Sequence, residues 1–107
     1  MTIYNKLVRD LIPDIINQKN LATTNLLDPK NHLTEIKRKL YEEVEEFNSA
    51  TNRRDSLEEL ADILELIHAA LPFYEATYTE LEKIRLLKKE KKGGFEKGIF
   101  LIEVKDK

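Results

Sequence analysis

Residues 28–47 read DPKNHLTEIKRKLYEEVEEF, and the spacing of their apolar members decides the fold. Leu33, Ile36, Leu40, Val44 and Phe47 recur at three- and four-residue steps, which lays one stripe along a helix. Asp28-Pro29 supplies the start: an aspartate that can accept from free N–H groups, then a proline whose fixed φ suits the first helical position. Polar residues from Asn48 to Arg54 interrupt the stripe and predict a loop. Beyond it, residues 55–71 read DSLEELADILELIHAAL, where Asp55-Ser56-Leu57-Glu58 has the form of a capping box opening a helix to about Leu71. Pro72 falls near its end. Thr77-Tyr78-Thr79-Glu80 repeats the capping signal, and the helix it opens runs to Lys92, where Gly93 can form the C-cap.

Outward from these helices the signals thin. Asp10 is placed to cap a short helix over Leu11 to Gln18, with Pro13 in its first turn. The apolar stretch from Phe95 to Val104 is expected to be extended and packed across the bundle. All three glycines, Gly93, Gly94 and Gly98, lie near the C-terminus, and the glycine-free remainder is rich in Leu, Glu, Lys and Ile, as helices are. The expected architecture is all-α, a four-helix-type bundle with a short extended C-terminal tail. At 107 residues the chain has room for one domain, 1–107, and one modest core.

Composition narrows the function classes. A formal net charge of −2, from 18 basic and 20 acidic residues, offers no bulk attraction to nucleic acid. The absence of cysteine excludes disulfides, thiolate metal sites and a cysteine nucleophile. Lys6, Arg9 and Asp10 interrupt the N-terminus before an apolar run can form, so no signal peptide is expected. No stretch is long enough to span a membrane, and a cytoplasmic protein is expected.

The acidic residues are unevenly placed. Most acidic runs are merely solvated helix faces, and helical phase tests that reading here. Residues three apart share a face. On the second helix Glu43 lies at the edge of the apolar stripe and Glu46 just beyond it. Glu45 points away, Glu42 is expected further toward solvent than Glu46, and Lys39 falls between Glu43 and Glu46 on the same flank. The third helix has one apolar face of Leu57, Leu60, Leu64, Ile67 and Leu71, and a second of Ile63, Leu66 and Ala70. Glu59 falls in the middle of that second face and Asp62 at its margin, while Glu58 and Glu65 occupy the polar strip. A carboxylate amid apolar side chains is costly unless a cation pairs with it. Two antiparallel helices can set Glu43 and Glu46 opposite Glu59 and Asp62, and four oxygen donors suit Mg²⁺, with Mn²⁺ as the alternative. A di-iron carboxylate bundle would need paired Glu-x-x-His motifs. Only Glu65 and His68 have that spacing, off the Glu59/Asp62 face, so His68 reads as a core or interface histidine. Two apolar faces are more than one partner helix needs, which assigns one of them to a homodimer interface.

Glu42-Glu43-x-x-Glu46, a loop, then Glu59-x-x-Asp62 resembles the E-E-x-x-E…E-x-x-D signature of the all-α nucleoside triphosphate pyrophosphohydrolases, the MazG-like superfamily. Tyr4-Asn5-Lys6-Leu7-Val8-Arg9-Asp10-Leu11-Ile12-Pro13, Glu59-Leu60-Ala61-Asp62-Ile63-Leu64-Glu65 and Gly93-Gly94-Phe95-Glu96-Lys97 look like its small phosphoribosyl-ATP pyrophosphohydrolase-like branch. The resemblance covers nearly the whole chain. It implies a four-helix core assembled into homodimers or homotetramers, with Mg²⁺ held by Glu43, Glu46, Glu59 and Asp62. Glu42 would orient water or support the ligands. The implied reaction cleaves a nucleotide substrate between its α- and β-phosphates to a monophosphate and pyrophosphate, as in the removal of aberrant nucleotides.

Cations for the outer phosphates are Lys39, from helical geometry, and Lys6, Arg9 and Lys97, from the resemblance. Tyr4, Tyr41, Phe47 and Phe95 are candidates to stack on a base, although a stripe aromatic such as Phe47 more commonly belongs to the core. Two alternatives stand beside this reading. One is a non-enzymatic helical interaction module with a structural metal, and the other is the phosphoribosyl-ATP step of histidine biosynthesis.

Overall fold

A computed structural model describes all residues from Met1 to Lys107. The chain is all-α, with no strand. Four helices occur: α1 (Ile12–Ile16), α2 (Pro29–Ser49), α3 (Arg53–Ala70) and α4 (Tyr78–Lys92), with a 3-10 turn at Leu71–Tyr74 after α3. None of them is long and apolar enough to cross a membrane. The chain divides into two compact units, Met1–Glu75 and Ala76–Lys107.

In the first unit α2 begins where its sequence signals place it. The Asp28 carboxylate accepts from the Asn31 N–H at 2.8 Å, and Pro29 takes the first helical position. The start of α3 departs from expectation. Asn52, not Asp55, is the cap: its side-chain oxygen accepts from the Asp55 N–H at 2.8 Å, and its amide donates to the Asp55 carboxylate at 2.9 Å. Asp55 thus becomes the first-turn acid at the positive helix end. With α2 running to Ser49, only residues 50–52 connect the two helices, and so short a link makes them antiparallel. Their mutual packing is the main tertiary contact of the unit.

Helix α1 is shorter than expected and starts from Leu11 without a side-chain cap; Asp10 does not serve. It ends at Asn17, whose N–H donates to the Pro13 carbonyl at 2.9 Å while its side chain accepts from Ala22 at 2.8 Å. Tight turns by Gln18, Lys19 and Asn20 then close the last carbonyls.

Ile36 is the one buried hydrophobic residue. The stripe is therefore split: Leu33 and Leu40 are half-buried, whereas Val44 and Phe47 are exposed, which corrects the expectation that Phe47 belongs to the core. On α3 the Ile63/Leu66/Ala70 face is half-buried, and Leu57, Leu60 and Leu64 face solvent. His68 is exposed as well, so it is not a core residue.

In the second unit Thr77 caps α4 by accepting from the Glu80 N–H at 3.2 Å. Gly93 closes the helix at φ +83°, a left-handed conformation in which a side chain would be strained. An Arg85–Glu82 pair and a 3.9 Å Lys89–Glu96 pair brace the unit. The tail carries no regular element, and Phe95, Ile99, Phe100, Leu101, Ile102 and Val104 are all exposed. Against the expectation of an extended, covered tail, it has no regular element and its apolar side chains are exposed.

Candidate metal centre

The α2/α3 hairpin places acidic residues from both helices in one cluster. Carboxylate oxygens of Glu43, Glu59 and Asp62 lie within 4.8 Å of one another, and those of Glu42, Glu43 and Glu46 do likewise. Glu43 belongs to both groups. It is also the only buried charged residue, 5% exposed, on the same helix as the fully buried Ile36 about two turns before it. Glu59 and Asp62 are half-buried. Of the four carboxylates expected to converge, Glu43, Glu59 and Asp62 form one group, and Glu46, itself exposed, joins Glu43 in the other.

Two of their oxygens stand out. Glu43 Oε2 and Glu59 Oε2 are shielded from solvent and have no hydrogen-bond partner. A buried acceptor left in that state costs about 1–3 kcal/mol. The strain shows in Glu43, whose carboxyl is pushed from 4.5 up to about 8. Burial is the chief cause, followed by the adjoining Glu59, then by Glu46 and Asp62. Lys39, 3.7 Å from Glu43 Oε1, does not outweigh them. Near neutral pH the cluster therefore keeps a proton that a cation would displace. All-oxygen donors with two unpaired, shielded acceptors fit a hard divalent ion such as Mg²⁺ or Mn²⁺, and offer nothing to a soft one.

Three cations border the cluster. Lys39 Nζ and Lys6 Nζ share Glu42 Oε1, at 3.3 and 3.2 Å, and Arg9 Nη2 donates to Asp62 Oδ1 at 2.5 Å. The Lys contacts help hold the Glu42 carboxyl below its usual range, against the opposing effect of its own partial desolvation. They also reverse an expectation: Glu42 is half-buried and Glu46 exposed. Helical phase alone misordered the two because Lys6, distant in sequence, closes over Glu42.

No family model, no curated protein and no solved structure matches this chain.

A cavity of about 860 Å³ shares Glu43 and Asp62 with the cluster. Leu7, Val8 and Leu11 line it from the N-terminal side, with Ile36 and Leu66 from α2 and α3. Arg9, Asp10, Lys39, Glu65 and His32 complete its polar lining. Sequence reading missed this role for Glu65 and His32. His32 also meets Phe73 edge-on, with ring centroids 5.1 Å apart. Only pairing across the fold could have flagged either residue. Of the aromatic candidates, Tyr4, Tyr41 and Phe95 are exposed, and neither they nor Phe47 line the cavity. Lys97 lies in the second unit, exposed, after α4.

Proposed function

We propose that this chain is a Mg²⁺-dependent nucleotide pyrophosphohydrolase of the MazG-like, all-α kind, cleaving a nucleoside triphosphate to a monophosphate and pyrophosphate. The observation that carries it is Glu43: a buried carboxyl with an unpaired oxygen, beside Glu59 and Asp62 and bordered by three cations. The reaction type comes from the E-E-x-x-E…E-x-x-D resemblance.

In this reading Glu43, Glu46, Glu59 and Asp62 hold Mg²⁺, or Mn²⁺ in its place. The bound ion would neutralise charge developing on the phosphate oxygens. Arg9, Lys6 and Lys39 bind the outer phosphates as charge builds on the leaving pyrophosphate. Glu42 holds Lys6 and Lys39 in position through its shared oxygen. One cluster carboxylate orients the attacking water and accepts its proton as the phosphoanhydride P–O bond breaks. The aliphatic cavity wall receives the uncharged part of the nucleotide.

The finer architecture belongs to the same proposal. Val44, Phe47, Leu57, Leu60 and Leu64 are each 40–50% exposed on the hairpin. Pairing two hairpins through these side chains makes a four-helix core, in a homodimer or a homotetramer.

The test is a nucleotide panel that includes dUTP and phosphoribosyl-ATP, incubated with Mg²⁺ and assayed for pyrophosphate and for phosphate. Pyrophosphate release is expected, with Glu59→Gln losing at least about a hundredfold in rate while keeping its far-UV helical signal. Absence of release across the panel overturns the enzyme reading and favours an interaction module. A fully active Glu59→Gln overturns the site.

A further inference from the structure

Lys6 and Arg9 stand three residues apart in a segment with no helix or strand, yet each reaches a different helix. Lys6 Nζ lies 3.2 Å from Glu42 Oε1 on α2, and Arg9 Nη2 lies 2.5 Å from Asp62 Oδ1 on α3. Residues 1–11 thus form a strap tied to both helices, and Leu7, Val8 and Leu11 of that strap wall the cavity that contains Glu43 and Asp62. The ties are soft. The Lys6 and Arg9 side chains are 53% and 57% exposed, and ion pairs so open to water contribute little each.

Asp62 has two claims upon it. Its carboxylate pairs with Arg9, and it lies with Glu43 and Glu59 in the triad that suits a divalent ion. Two cations drawn to one carboxylate oppose each other's binding, by repulsion and by dividing its lone pairs. Glu42, by contrast, is held by Lys39 as well as by Lys6 and stands outside that triad.

We propose that the strap is an internal counter-ion of the acidic cluster: Arg9 competes with a divalent cation for Asp62, so that metal binding loosens residues 1–11 from α3. This rests on the metal-binding reading above and adds a consequence to it. Arg9, once released, is available to an anionic ligand, and the cavity beneath the strap becomes accessible. Metal and anion then bind in order, the metal first. Linkage makes the competition reciprocal, so a chain lacking the guanidinium holds the metal more tightly.

Mn²⁺ is the probe, with binding to the full chain followed by calorimetry and hydrogen exchange of residues 1–11 measured with and without the ion. Arg9→Gln is expected to bind Mn²⁺ about two- to fivefold more tightly than the parent chain, the range set by a weak, half-exposed ion pair. Arg9→Lys restores the parent affinity. Arg54→Gln, which removes a charge that pairs with Glu58 at 3.5 Å away from the cluster, leaves it unchanged. Mn²⁺ accelerates exchange in the strap of the parent chain, whereas the strap of Arg9→Gln exchanges fast from the start. Equal or weaker binding by Arg9→Gln, or slower strap exchange on adding Mn²⁺, overturns this inference alone. A failure of every chain to bind Mn²⁺ overturns the metal reading and the inference together.

Discussion

Glu43 sits where burial and neighbouring charge act on one side chain in the same direction. Its carboxyl is raised from 4.5 to about 8 in the folded chain. Between those values the folded state holds a proton that the unfolded state has released, so stability falls as pH rises through the window and levels off above about 8. Glu59 shifts the same way: a protonated Glu43 beside it holds it down, but its own lost hydration and the charges of Glu46 and Asp62 outweigh that. Glu42, Glu82 and Glu96 are lowered, and their contributions are lost only as pH falls below 4.5. In chelator, the melting temperature should therefore decline between pH 5.5 and pH 8. Glu43→Gln should remove most of that slope, and saturating Mg²⁺ should restore the melting temperature at pH 8. A parent chain whose melting temperature is flat or rising over this range would show that Glu43 is not held protonated.

At the scale of elements, the α2–α3 corner sets how the two acidic runs face each other. Asn52 has an extended backbone, φ −127° and ψ 165°, and exchanges two hydrogen bonds with Asp55. Its replacement by alanine frees the first N–H groups of α3 and is expected to cost about 1 kcal/mol in urea unfolding. Ser56→Ala should cost less, because Ser56 returns its hydroxyl to the Asn52 carbonyl at 2.7 Å and caps nothing. The reverse ranking would return the cap to the Asp55–Glu58 box. Both tetrads, Asn52 to Asp55 and Asp55 to Glu58, carry a capping residue followed three positions later by an acid. Sequence could not separate them, since both tetrads carry the same local capping signal.

For the whole molecule, one buried hydrophobic residue is too little to hold 107 residues against chain entropy. The exposed hairpin leucines supply what is missing if they meet a second copy. If the proposed assembly forms through this face, Leu60→Lys is expected to give a monomer by light scattering and to lower the melting temperature by at least about 5 °C, as loss of a kcal/mol or more implies. An unchanged mass would place the interface elsewhere. The uncovered tail, Ile99 to Val104, is a second apolar surface that a single chain leaves in water.

Local signals in the chain determined a good deal. Asp28-Pro29 and the Leu33–Ile36–Leu40 steps specified α2, Thr77 and Gly93 bounded α4, and helical phase alone pointed Glu43, Glu46, Glu59 and Asp62 toward one place. These depend on interactions within four residues, which a sequence displays directly. Tertiary structure decided the rest. It buried Glu43 rather than merely turning it inward, closed Lys6 and Arg9 over Glu42 and Asp62 from 36 and 53 residues away, and drew Glu65 and His32 to a cavity wall. It also left Val44, Phe47 and the tail uncovered where an apolar pattern promised burial. Burial depends on what lies across the gap, and no periodicity in a single segment records that.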